Sequence, residues 1–234
     1  MLVLDGVHAG YGLTPVLADL TLEVREGEVV AVLGRNGVGK TTMLRAAIGT
    51  LPLRAGSIRL AGEELGRLRP HERARRGIAY VPQGRDIFPD LTVLDNLRVA
   101  AWATRGSAGG ALVAEVFDEF PALAARRRAK GGALSGGQQQ LLALARALVT
   151  APRVLLLDES SEGIQPSILD EIVTVIRGIN TRRGIAVLLV EQNLDFAAQL
   201  AGRAYLMDKG RIVRELQPGH LLEDKDLQRE YMGI

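Results

Sequence analysis

Apolar residues in the middle and later chain come in short unbroken runs: VVAVLG (29–34), AYVPQ (79–83), RVLLLDE (153–159) and IAVLLVE (185–191). Val- and Leu-rich runs of this length, closed by Gly or by charge, predict strands buried on both faces, as the strands of a parallel sheet are. Between them the period changes. Leu141, Leu144, Ala145 and Leu148 recur at helical spacing, which predicts an amphipathic helix. The first thirty residues follow another rule: VLDGVHAGYG and LTLEVREGE alternate and turn, as antiparallel strands do. YLMDKGRIVRE (205–215) predicts a hairpin turning at Lys209-Gly210. Residues 84–150 carry several helical patterns, no strong strand signal and one Gly-rich loop, GSAGG (106–110). The layout predicted is α/β: a mostly parallel core built from 1–83 and 151–234, an antiparallel β subdomain at its N-terminal end, and an inserted α-helical subdomain over 84–150.

Composition narrows the field without choosing a function. The 234 residues suit one large domain, and 47% hydrophobic with 24% charged residues is an ordinary globular balance. A net charge of +2 is too small to argue for nucleic acid or an anionic membrane as partner. The absence of cysteine excludes disulfides, thiolate chemistry and cysteine metal sites. MLVLDGVHAGYG lacks the basic head and apolar run of a secretory signal. No window approaches the 18 uninterrupted apolar residues of a membrane span, so any membrane role is expected to come through another chain.

The first chemistry appears at GRNGVGKTT (34–42), which follows the strand at 29–33 and fits G-x-x-x-x-G-K-[ST] in full. Gly34, Gly37 and Gly39 let backbone N–H groups turn inward around phosphate oxygens, where bulkier residues would block the wrap. Arg35, Asn36 and Val38 complete the loop. Lys40 offers a cation to the β- and γ-phosphates, Thr41 offers a hydroxyl to Mg²⁺, and Thr42 continues into the helix, whose N-terminal end is positive. Further on, the apolar strand 154–157 closes in Asp158 and Glu159. A strand reaching solvent explains such a pair equally well on its own. Beside a phosphate loop, the favoured reading has Asp158 holding Mg²⁺ and Glu159 orienting or deprotonating the attacking water, a contribution of roughly 10²- to 10⁴-fold in rate.

ALSGGQQQLLALARAL (133–148) is harder to account for. Ser135 is a good N-cap for the helix behind it. Gly136 and Gly137 weaken that helix's first turn and serve nothing local. They would let something approach the backbone, and the N–H groups of a helix start suit an anion.

LSGGQ (134–138), the phosphate loop, YVPQ (80–83) and LLLDE (155–159), in that order, resemble the ATP-binding subunits of ABC transporters, and the resemblance covers essentially the whole chain. It implies a P-loop NTPase of the ABC ATPase type that takes ATP and Mg²⁺. It implies that Ser135, Gly136, Gly137 and Gln138 face the γ-phosphate of ATP held by a second ABC ATPase chain, in a homo- or heterodimer. By position, Tyr11 would stack on adenine and Gln83 would contact Mg²⁺ and the attacking water. The segment 84–97 would lie near the surface that docks on membrane-spanning permease subunits, with a solute-binding protein as an indirect partner. The expected location is cytoplasmic, on the inner face of the membrane.

Two positions depart from the family pattern. Gln192 stands where many members carry a γ-phosphate-touching histidine; its amide can donate to phosphate but cannot titrate, which leaves Glu159 as the base. Ser160 replaces a common proline and loses its fixed φ. EQN (191–193) is similar to the branched-chain amino-acid class of importers, and Gln83-Gly84-Arg85 with GIQPS (163–167) is most similar to urea and short-chain amide importers within it. Solute choice rests on resemblance alone, since no residue here has a physical reason to select urea over leucine. A soluble ABC ATPase working on nucleic acid or ribosomes would be expected to show a long coiled-coil insert, a second cassette or a basic stripe. A nucleotide-gated module with little turnover could dispense with Glu159.

Overall fold

The computed structural model describes residues 1–105 and 109–233. The chain opens in a long antiparallel pair, β1 (Leu2–Tyr11) and β2 (Thr14–Val24). Leu2 and Leu4 of β1 face the core, and after a register shift so do Val7 and Ala9. The change of parity comes from a bulge at Gly6, whose φ is +55°: one extra residue flips the inward-facing set. β3 (Val29–Leu33) follows and runs through the phosphate loop into α1 (Lys40–Ile48). β4 (Leu53–Leu60) then pairs with the other edge of β1, and the two-residue β5 (Glu63–Glu64) completes a four-stranded sheet in the order β2-β1-β4-β5.

The short helix α2 (Pro70–Arg75) leads to β6 (Ile78–Val81). From there to the next strand the chain is helical: α3 (Val93–Arg105), α4 (Gly109–Glu119), α5 (Pro121–Ala124) and α6 (Gly136–Leu148). Of the predicted GSAGG loop, residues 106–108 lie outside the described residues, and Gly109 and Gly110 open α4. β7 (Val154–Asp158), α7 (Pro166–Arg183), β8 (Ala186–Glu191) and α8 (Leu194–Leu200) return to strand–helix alternation. The predicted hairpin is β9 (Arg203–Asp208) and β10 (Arg211–Leu216), turning at Lys209 and Gly210 with φ of +44° and +79°. Two positive φ values are what a twist-matched two-residue turn requires. α9 (Pro218–Glu223), α10 (Lys225–Leu227) and a last turn over Gln228–Met232 end the described chain.

The second sheet has the order β10-β9-β3-β8-β7-β6 and is parallel except for the β9–β10 pair. Alternate residues of its strands enter different cores. Val30, Val32, Leu156 and Val190 pack with the antiparallel sheet and α1, whereas Ala31, Leu33, Leu157 and Leu189 pack with α6, α7 and α8. Burial on both faces is why these strands read as unbroken apolar runs. Among the described residues, no helix is long and apolar enough to cross a membrane.

Candidate functional site

Register builds the site. Leu33 pairs with Glu191, Asp158 with Val190, and Val81 with Leu157. The carboxyl ends of β3, β8, β7 and β6 therefore stop at one edge, and the residues that follow them share a crevice, as expected at the carboxyl edge of an open parallel sheet. Gly34–Lys40, Gln192, Glu159 and Gln83 are those residues.

The phosphate loop wraps an open cleft of about 450 Å³ lined by Asn36, Gly37, Gly39, Lys40, Thr41, Thr42, Gln83 and Glu159. Gly37 has a φ of +80°, a region that costs other residues energy. At Gly34 a Cβ would stand 2.5 Å from the Met207 carbonyl oxygen, so no side chain fits. α1 starts on Gly39 with no side-chain cap, leaving first-turn N–H groups for an anion. Lys40 is buried, and its Nζ donates to the carbonyls of Gly34 (2.7 Å) and Arg35 (3.0 Å) and lies 3.4 Å from Glu159 Oε1. Burial pulls its ammonium below the usual lysine range, with Glu159 opposing. The Arg35 side chain leaves the cleft and donates to the Arg229 carbonyl in the last turn of the chain.

Asp158 is fully buried, accepting from Thr41 Oγ1 at 3.1 Å and from the Tyr80 hydroxyl at 2.9 Å. Burial raises its pKa, and burial together with Asp158 raises that of the Tyr80 phenol. No lysine or arginine among the described residues forms an ion pair with Asp158. A buried carboxylate with no ion pair of its own, beside a threonine hydroxyl, fits Mg²⁺, which binds through one or two carboxylates, keeps waters and shares phosphate oxygens. No cluster of three acidic or imidazole side chains suited to a metal occurs among the described residues, and such a site does not need one.

Glu159 is the meeting point. Its φ is +45°, fixed in part by its N–H donating to the Val190 carbonyl at 2.9 Å. Gln83 Nε2 donates to its Oε2 at 3.0 Å and Gln192 Nε2 to its Oε1 at 3.0 Å; Gln192 also reaches Asn36 Oδ1. Left-handed geometry in a non-glycine residue is costly and clusters at functional sites. A carboxylate held by two amides and a lysine, beside a loop shaped for phosphate, can accept a proton from water.

Glu191, which reads in the sequence only as a strand end, is also part of this edge. It is buried and accepts from the Ser161 N–H at 2.9 Å and the Ser161 hydroxyl at 2.7 Å. Burial pushes its carboxyl up to about 7. Its only sequence signal is an acid closing an apolar run, as Asp158 does. Ser160, at the proline position, is buried, and its hydroxyl makes no hydrogen bond. The loop is held through Ser161 instead.

The signature turn stands apart, since none of Ser135, Gly136, Gly137 and Gln138 lines the cleft. Ser135 caps α6 as predicted, and Gln138 caps back: Ser135 Oγ accepts from the Gln138 N–H at 3.3 Å, and Gln138 Oε1 accepts from the Ser135 N–H at 3.2 Å. What approaches the two glycines in this chain is its own side chains. A Cβ at Gly137 would lie 2.8 Å from Ile168 Cγ1, and one at Gly136 would lie 3.0 Å from Arg85 Nη1. Tyr11 ends β1 half-exposed, its hydroxyl accepting from Arg45 at 3.0 Å, outside the residues that line the cleft. Val38 sits in the loop, its carbonyl accepting from the Gly210 N–H at 2.8 Å.

Residues 17–162 match the family model described as ABC transporter. The high-affinity branched-chain amino acid transport ATP-binding protein BraG of Pseudomonas aeruginosa is 40% identical over 233 residues, covering 100% of both chains. The probable branched-chain amino acid transport ATP-binding protein LivF of Archaeoglobus fulgidus is 36% identical over 97% of each chain. Among solved structures, a dimeric ATP-binding cassette in a post-hydrolysis state, bound to ADP and Pi, superimposes with a TM-score of 0.83 at 25% identity, covering 93% of this chain and 99% of the other. The ADP conformation of another cassette superimposes with a TM-score of 0.85 over 100% of this chain and 99% of that one, at 24% identity.

Proposed function

The chain belongs to the ABC transporter family as an ATP-binding, ATP-hydrolysing subunit, and from that premise we propose that it drives an importer of branched-chain amino acids by closing on a second cassette around bound ATP. The observation that carries the catalytic reading is the convergence of Lys40, Gln83 and Gln192 on Glu159. The phosphates lie along the N–H groups of residues 34–42, and Lys40 exchanges its loop carbonyls for the β- and γ-phosphates. Tyr11 supports adenine. Thr41, Asp158 and Gln83 would hold Mg²⁺, which would neutralise phosphate charge. Glu159 takes a proton from water as the water oxygen bonds to the γ-phosphorus; the bond to the bridging oxygen breaks, and ADP and inorganic phosphate leave. Gln192 donates its amide to the γ-phosphate without titrating.

Ser135, Gly136, Gly137 and Gln138 serve the ATP of the second cassette. The dimeric state of the similar cassette bound to ADP and Pi supports this reading. The loop after Gln83, with exposed Phe88 and Leu91, and Trp102 on α3, forms the surface that meets the permease subunits. That contact holds the chain on the inner face of the membrane, and a solute-binding protein acts through the permease.

The names of the two relatives above favour amino acids over the urea expected from local phrases. Urea transport is the second reading, and Gln83-Gly84-Arg85 with GIQPS favours it. The test is the chain reconstituted with the membrane and solute-binding chains that co-purify with it. ATP hydrolysis rises several-fold with leucine and not with urea; stimulation by urea alone selects the second reading, and stimulation by neither overturns both.

A further inference from the structure

The segment that begins at Gln83 touches two places at once. Gln83 Nε2 donates to Glu159 (3.0 Å) and to Glu162 (2.7 Å) in the loop after β7. Two residues later, the Arg85 guanidinium lies against the signature turn. Its Nη1 donates to Gln139 Oε1 at 3.3 Å and fills the place where a Cβ at Gly136 would be, 3.0 Å away. Two residues span about 7 Å at most, so these contacts share one short piece of backbone.

That backbone is held in an uncommon shape. Gly84, Arg85 and Asp86 have φ of +89°, +77° and +48°, a region that Arg and Asp enter only at a cost. Arg146 fixes the far side by donating to the Asp86 carbonyl at 2.5 Å, with its guanidinium 4.4 Å from the centre of the Phe88 ring. The charge is also unusual. The first turn of α6 has no acidic residue, and the cation beside it has the wrong sign for the positive end of a helix. Stability of the isolated helix start does not explain the sign. A turn that meets phosphate does.

We propose that Arg85 is a positioning residue for hydrolysis of the second cassette's ATP. It locks Gly136 and Gln139, and with them the start of α6, to the segment whose other end touches this chain's own Glu159 and Glu162. The state of one ATP site thereby sets the pose of the half-site offered to the other. This rests on the role proposed above for Ser135–Gln138.

The test uses Arg85→Ala, Arg85→Lys and Gln139→Ala, each in the wild-type and the Glu159→Gln chain. ATP affinity measured on dilute monomer stays unchanged, because Arg85 does not line the phosphate cleft. ATP-driven dimerisation of the Glu159→Gln chain weakens about tenfold and turnover falls with it, by ~1.4 kcal/mol. Lys does not restore either, since it lacks the planar fork. Arg85→Ala with Gln139→Ala is no worse than Arg85→Ala alone. Unchanged dimerisation and turnover in Arg85→Ala, rescue by Lys, or simple addition of the two effects overturns the proposal. A parent Glu159→Gln chain that fails to dimerise with ATP overturns the underlying signature-turn reading as well, and so separates the two failures.

Discussion

The proposed chemistry rests on two helix N-termini, and they are finished to different degrees. At α1 the cap is Gly39, no side chain takes up the first-turn amides, and a buried lysine already sits among loop carbonyls and Glu159. At α6, Ser135 and Gln138 satisfy each other's backbone, and the turn lies outside the cleft. The first start is an anion site that needs only the anion. The second is locally content, with fewer amides left to offer, and the guanidinium beside it is tied to Gln139. A half-site of that kind binds weakly alone and gains strength when another chain delivers the phosphate, so binding and dimerisation become one event.

The comparison breaks most visibly at the lysine. Lys40→Ala removes charge-assisted hydrogen bonds, and ATP affinity measured by calorimetry should fall about a hundredfold, or ~2–3 kcal/mol. Unchanged affinity would remove α1 from the account. Gly137→Leu should do the opposite. The first atom of its side chain meets Ile168, so ATP binding by the monomer stays within about twofold while turnover drops at least tenfold. A variant that loses monomer binding as well would mean the two helix starts are not separable.

Much of this is legible in the chain itself, for a physical reason. Double burial of the parallel strands, the glycines of the phosphate loop, the Ser135 cap and the Lys209-Gly210 turn are local rules, written within a few residues. What stays hidden joins residues far apart in sequence: Glu191 to Ser161, Tyr80 to Asp158, Arg85 to Gly136. Spacing along a chain carries no trace of such partners, since sheet register and the packing of the helices on the sheet create them. The pairing of β4 with β1 and the return of the last turn to Arg35 escape the sequence for the same reason.

Smaller effects sharpen the picture at that loop. Glu191 titrates near 7 in the fold, above the ordinary carboxyl value of 4.5. The native state holds its proton more tightly than the unfolded chain, so its contribution is fully present below pH 4.5 and is lost as pH rises to about 7. Glu191→Gln should flatten that part of the stability curve, by up to about 3 kcal/mol at pH 8, in chemical denaturation. An unchanged pH profile would argue against a buried carboxyl there. Ser160→Ala removes a buried hydroxyl without a partner and should stabilise by about 1 kcal/mol, with turnover untouched.

The most direct measurement mixes two inactive chains. Lys40→Ala retains its signature turn and Gly137→Leu retains its phosphate loop, so a mixed pair contains one intact composite centre. Turnover absent from either variant alone should return on mixing and rise with protein concentration. Mixtures as inactive as their components, beside a wild-type rate per chain that does not change with concentration, would contradict the claim that ATP is cleaved between two cassettes.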